Sequence, residues 1–213
     1  RKENGKFKVK TAKGEYEFDY IVSTAPAYEA ANYFKGLDKE LADIMASITY
    51  SPTFAVSFGF EGNDVDDDLD GFGYLIPTKE NMRILGGLYS SSIFPSKAPE
   101  GKKMLHAILG GDTERGKELM KKSDDELVQI ALEELKKMTK IVGKPIMVKH
   151  FRWPHAVPQY YSGHTVKVEK AAKICDKVGG LFLGGNVLHG IALNDSTRRS
   201  FEISEEIAKL AKK

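Results

Sequence analysis

Leu181-Phe182-Leu183-Gly184-Gly185-Asn186-Val187-Leu188-His189-Gly190-Ile191-Ala192-Leu193-Asn194-Asp195-Ser196 is the stretch that decides how this chain folds. Three apolar residues run into a Gly-Gly-Asn turn, as a short buried strand does at its end. Gly190 and small residues then open a helix that the pattern carries from about Ile191 to Lys212. The first N–H groups of a helix have no partners inside it, and the helix dipole places partial positive charge there. A strand, a tight turn and an open helix start together make a good holder for a polar, electron-accepting group. Alone, the glycines also fit a plain strand-to-helix turn.

Working back toward the N-terminus, residues 164 to 178 read as a short helix and loop. Ile146 to Trp153 reads as a strand with an irregular exit at Pro154 and Pro158. Ser123-Asp124-Asp125-Glu126 is a capping box that opens an amphipathic helix. Leu127, Ala131, Leu135, Met138 and Val142 form its stripe, which is expected to cover one face of a sheet. That sheet is expected from Phe54–Phe60, Phe72–Ile76, Met82–Ser90 and Lys103–Leu109, an antiparallel meander with turn residues between its strands. Asp64 to Asp70 lacks the ordered alternation of a calcium loop and reads as solvated. Near the start, Phe7 and Val9 alternate with lysines, and Tyr16 and Phe18 with acids, as in a hairpin with one wet face. Tyr20 to Thr24 reads as a strand buried on both faces. Asp38 to Ser47 reads as a helix with Leu41, Ile44 and Ile48 on one side.

The fold class is therefore α+β and discontinuous. Residues 1–47 and 164–213 form one layer system, and 48–163 form an inserted antiparallel sheet covered by the 123–142 helix.

Lys and Arg total 32 against 30 acids, a net charge of +2, and no basic run is interleaved with aromatics. Nucleic acid is not an expected partner. The single cysteine, Cys175, excludes an internal disulfide framework and fits a reducing compartment. No apolar run is long enough to span a bilayer. The five histidines lack helical metal-site spacing, so no metal is expected. No serine sits in a Gly-x-Ser-x-Gly turn, and neither Gly-x-Gly-x-x-Gly nor a phosphate-binding P-loop occurs. The chain opens on Arg1-Lys2-Glu3-Asn4-Gly5 with no initiator methionine, which fits either a processed start or a piece of a longer protein.

Several motifs occur in an order that resembles one family. They are Tyr20-Ile21-Val22-Ser23-Thr24-Ala25-Pro26, Gly71-Phe72-Gly73-Tyr74-Leu75-Ile76-Pro77 and Ile84-Leu85-Gly86-Gly87-Leu88-Tyr89-Ser90-Ser91 with Phe94-Pro95. Leu109-Gly110-Gly111 follows, then Trp153, Ala156-Val157-Pro158-Gln159-Tyr160 and Gly163-His164, and last the strand-turn-helix quoted at the outset. Together they look like the C-terminal half of an FAD-dependent protoporphyrinogen oxidase, within the wider flavin amine-oxidase and phytoene-desaturase group.

The resemblance implies a Rossmann-like FAD-binding part in the outer segments and a substrate-binding domain in the insertion. It implies that Gly185, Asn186, Gly190, Ile191, Ala192 and Leu193 face the cofactor and that Trp153 packs beside it. Leu75, Leu88 and Ile108 fall where the family lines its tetrapyrrole pocket, although sheet core is the ordinary reading of such residues. No residue of this chain is expected to do acid-base catalysis. FAD would take hydride from a meso carbon of a porphyrinogen, protoporphyrinogen IX or coproporphyrinogen III, in repeated two-electron rounds. The resemblance further implies a partner in the missing N-terminal half, which carries the dinucleotide fingerprint. The chain alone is then expected to hold FAD weakly or not at all and to be colourless and inactive. A cytoplasmic enzyme, with peripheral membrane association and a homodimer as further expectations, completes the implied picture. Two other readings stay open: an amine oxidase or carotenoid desaturase relative, and a non-catalytic α+β binding module.

Overall fold

The computed structural model describes residues 1–212. The last residue of the 164–213 segment, Lys213, lies outside the described residues. The chain divides into two compact units, Arg1–Thr49 with Pro158–Lys213, and Tyr50–Val157.

The first unit opens with β1 (Lys2–Glu3), β2 (Lys6–Thr11) and β3 (Gly14–Phe18). They pair antiparallel, with Phe7 opposite Phe18 and Val9 opposite Tyr16. Of these, Phe7 is buried, whereas Tyr16 and Phe18 are exposed. Next come β4 (Ile21–Ser23), α1 (Ala27–Phe34) and α2 (Lys39–Ala46). α1 has no counterpart in the sequence reading; it starts directly after Pro26 and buries Ala27, Ala30, Ala31 and Phe34. α2 follows its apolar stripe and is capped by Asp38, whose Oδ1 accepts from the Leu41 amide at 2.9 Å.

The second unit contains β5 (Tyr50–Glu61), β6 (Gly73–Leu75), β7 (Gly86–Leu88), α3 (Ser90–Ile93), β8 (Lys102–Gly110), α4 (Glu114–Leu119), α5 (Asp124–Met138) and β9 (Met147–Pro158). Its five strands lie in the order β6-β7-β8-β5-β9. Only β6-β7-β8 is a meander; β5 enters between β8 and β9. β6 and β7 are far shorter than expected because the glycines bring their backbones together: a Cβ on Gly73 would lie 2.1 Å from the Gly87 carbonyl oxygen. β9 passes through Pro154 without breaking. It is an edge strand, where a missing N–H costs no ladder bond.

α5 begins with the expected capping box, the Glu126 amide donating to Ser123 Oγ and the Ser123 amide to Glu126 Oε2. Its buried face is Leu127, Ile130, Ala131, Glu134 and Leu135. Met138 and Val142 are exposed, because the helix stops at Met138. The face packs on Phe54, Val56, Phe58, Leu105, Ala107 and Leu109, alternate residues of the two central strands.

The chain returns to the first unit through α6 (His164–Val178), β10 (Leu181–Leu183) and α7 (Leu193–Leu210). α6 is continuous rather than a short helix and loop. Only Ala171 and Ile174 are buried on it, too few to show a stripe in the sequence. Gly179, at φ +70°, ends it. β10 pairs in parallel with β4, Leu181 opposite Ile21 and Leu183 opposite Ser23. All three residues of β10 are buried. β4 is not buried on both faces: Val22 is 42% exposed. The sheet here has two strands, and α7 contributes just one fully buried residue, Ile203, so that face is left uncovered. Among the described residues, no helix is long and apolar enough to cross a membrane.

Candidate functional site

In the first unit, the turn after β10 needs its glycines. Gly185 has φ +73° and its missing Cβ would sit 3.1 Å from the Thr24 carbonyl oxygen. Gly190 has φ +121°, and a Cβ there would overlap the Asp195 carboxylate at 2.4 Å. α7 starts at Leu193, two residues later than the sequence suggested; Ala192 is its N-cap, and no side chain caps it. The amides of Leu193, Asn194 and Asp195 thus have no capping acceptor among the described residues. Ile191 and Leu193 are exposed, the latter at 82%. The Gly190 amide, by contrast, is not open: it donates to Tyr160 Oη at 3.2 Å.

Tyr160 and His164 were absent from the expected site residues, yet they hold this turn. The Tyr160 hydroxyl donates to the Asn186 carbonyl at 2.7 Å while accepting from Gly190. The His164 ring stacks on Tyr160, centroids 3.8 Å apart and planes 11° apart. Its Nε2 lies 3.1 Å from the Leu188 carbonyl oxygen. Burial raises the Tyr160 pKa, so the hydroxyl keeps its proton and stays a donor. Gly163, at φ +88°, sets the turn that stacks the rings. That turn was the available sequence signal.

In the second unit, the face of the sheet turned away from α5 carries the other candidates. Leu75 pairs with Gly86, and Gly86 with Ile108, so these three lie in one row across β6, β7 and β8. Leu88 lies one pleat along, between Gly73 and His106. Directly paired residues project to the same side, and so do residues two apart. Leu75, Leu88 and Ile108 therefore share this open face, with Leu75 85% exposed. They are not sheet core, which occupies the other face. Gly86 is buried between Leu75 and Ile108, and a Cβ there would meet the Tyr74 carbonyl oxygen at 2.4 Å and Leu75 Cδ2 at 3.2 Å.

Trp153 belongs to the same face. On β9, Arg152 points to the α5 side, where its Nε donates to Asp124 at 2.7 Å and its Nη groups to the Met120 and Lys122 carbonyls. Alternation then turns Phe151 and Trp153 the other way. The two rings stack at 6.4 Å, and both are more than half exposed. The four candidates on this unit thus lie on one face of the sheet, with Leu75 on one edge strand and Trp153 on the other.

The two sets differ in what they can do. The α7 start offers open amides and positive dipole charge, which suit an electron-rich group. Asp195, in its first turn, carries the opposing charge but is paired with Arg198 at 3.0 Å. These residues fit the polar end of a flavin. The open sheet face offers apolar contact, which suits a large, flat, apolar ligand. Among the described residues, no three His, Cys, Asp or Glu side chains group so as to hold a metal ion.

Residues 1–197 match the family model described as flavin containing amine oxidoreductase. A chloroplastic protoporphyrinogen oxidase of Nicotiana tabacum is 34% identical over 93% of this chain and 40% of its own length. A coproporphyrinogen III oxidase of Bacillus subtilis is 29% identical over 83% of this chain and 37% of its own length. A crystal structure from Exiguobacterium sp. 255-15, of a protein assigned as a protoporphyrinogen oxidase, superposes with a TM-score of 0.78 at 22% identity. It covers 97% of this chain and 45% of that one, and shows a shared fold. The chain spans about two fifths of the length of the curated relatives it matches.

Proposed function

Because this chain belongs to the flavin containing amine oxidoreductase family, we propose that it forms part of an FAD-dependent porphyrinogen oxidase. The observation that carries the substrate is the open sheet face. Leu75, Leu88 and Ile108 could have been core, and they stand on the solvent side together with Trp153. A tetrapyrrole is large and flat enough to use such a surface. The names of the similar relatives, proto- and coproporphyrinogen oxidases, point to the same substrate class.

In this reading Gly185, Asn186, Ile191, Ala192 and Leu193 hold the FAD, and Gly190 shapes the turn. Bound FAD would supply the two-electron oxidation of the porphyrinogen. The protein's own groups orient and exclude water. The amides of Leu193 to Asp195 supply fixed partial positive charge at the start of α7. Tyr160 and His164 fix the turn that presents those amides. The apolar face holds the macrocycle and keeps water from it. No side chain is assigned a proton-transfer role. The remainder of the enzyme, including a segment with the dinucleotide fingerprint, is proposed to come from the rest of a longer protein.

The test uses the full-length protein with FAD. Protoporphyrinogen IX and coproporphyrinogen III are offered in parallel with primary amines and a carotenoid precursor, and porphyrin fluorescence is followed. Porphyrin formation from either porphyrinogen supports the reading. Turnover of an amine or a carotenoid, with both porphyrinogens untouched, overturns it.

A further inference from the structure

On the open sheet face, Ser57 and His106 form a polar pair between the apolar candidates. His106 lies on β8, a central strand, directly opposite Ser57 on β5 and Leu88 on β7. Alternation along β8 places it on the same face as Ile108, two residues on. Its Nδ1 is 2.8 Å from Ser57 Oγ. Its Nε2 has no hydrogen-bond partner among the described residues. Burial holds its pKa below the usual histidine range, so the ring is neutral near pH 7. A neutral imidazole has one donor nitrogen and one acceptor nitrogen. The serine hydroxyl can serve whichever tautomer the other nitrogen's ligand selects.

A porphyrinogen presents an N–H on each pyrrole ring near the centre of the macrocycle, and its carboxylates lie at the rim. A neutral acceptor on a central strand, beside Leu88 and Ile108, matches the N–H groups, whereas a carboxylate would call for a cation. We propose that His106 accepts a pyrrole N–H through Nε2, with its Nδ1–H donating to Ser57 Oγ, and that this contact positions the reduced macrocycle on the sheet. The proposal rests on the porphyrinogen reading above. It also has a consequence for discrimination. Oxidation to the porphyrin turns some pyrrole N–H groups into imine nitrogens, which are acceptors. An acceptor at His106 therefore binds the substrate better than the finished product and favours product release.

The experiment compares the full-length FAD-loaded enzyme with its His106→Leu and His106→Gln variants. Gln places an acceptor near the position of Nε2; Leu removes it. The readouts are KM and kcat for the porphyrinogen and the inhibition constant of the product porphyrin. For His106→Leu, KM is expected to rise about five- to tenfold, the usual worth of one hydrogen bond. The product's inhibition constant is expected to stay within about twofold, and kcat to change less than KM. His106→Gln is expected to recover most of the KM. An unchanged KM in the Leu variant, an equal rise in KM and in the product's inhibition constant, or a Gln variant no better than Leu would each overturn the proposal. If the Leu variant melts early or loses flavin, His106→Gln carries the test: KM within about twofold of wild type supports it, and a tenfold rise overturns it. A wild-type enzyme that oxidises no porphyrinogen removes the porphyrinogen reading and this proposal together. An active wild type with an indifferent His106→Leu variant removes only the proposal.

Discussion

At the scale of single residues, Tyr160 links two parts of the sequence that the motifs suggested separately. Its hydroxyl bridges the Asn186 carbonyl and the Gly190 amide, 26 and 30 residues away. Tyr160→Phe keeps the ring stack on His164 and deletes both bonds. The expected cost is about 1–3 kcal/mol, from an unsatisfied amide and carbonyl in a part-buried turn. In the full-length protein the flavin-to-protein ratio after gel filtration should fall; a ratio equal to wild type would show that the bridge does not shape the cofactor turn. Glu134 is a second residue with a readable consequence. Its side chain is 1% exposed and receives bonds from Arg83 Nε at 2.7 Å and Lys137 Nζ at 2.8 Å. Burial pushes its pKa up, but these two bonds outweigh burial and the net direction is down. A lowered folded-state pKa contributes stability that is present above the unfolded value and lost as pH falls through the folded value. Glu134→Gln should therefore cost about 1–2 kcal/mol near pH 7, with the gap to wild type closing in the acid range below pH ~4. Thermal melts across pH check this, and a gap independent of pH would contradict it.

At the scale of elements, α5 is the part most fully written in the sequence. Its start is given by Ser123 and Glu126, and Leu127, Ala131 and Leu135 face the sheet as their spacing requires. Ser123→Ala should lower the stability of the Tyr50–Val157 unit by about 1 kcal/mol, seen as an earlier melt; an unchanged melt would mean the cap is not holding the helix. Its far end was misread because Val142 continues the spacing after the helix has stopped at Met138. β6 and β7 were overextended for a different reason. Apolar runs such as Phe72 to Ile76 look like strands, yet Gly73, Gly86 and Gly87 limit the ladder to three residues on each side. α1 and the full length of α6 were missed since each buries a single large apolar residue, Phe34 and Ile174, and the rest, Ala27, Ala30, Ala31 and Ala171, carry little hydrophobic signal. Tyr160, His164 and the Ser57–His106 pair were equally invisible as partners. Their contacts join distant positions, and polar residues at such sites leave no periodic pattern.

At the scale of the whole molecule, a strand-turn-helix that can face a flavin and a sheet face that can take a macrocycle belong to different units of one chain. Such a chain is expected to need the remainder of a longer protein. The 213-residue chain alone, mixed with FAD and passed through gel filtration, should emerge colourless; a retained yellow band would show that these residues suffice for the cofactor. The most direct test of the central claim is anaerobic mixing of the full-length, FAD-loaded protein with protoporphyrinogen IX or coproporphyrinogen III, followed at once by flavin absorbance and porphyrin fluorescence. With at least one of the two, the flavin band should bleach in step with the appearance of porphyrin-type fluorescence. A flavin band that persists with both, with no fluorescence gained, would contradict the account.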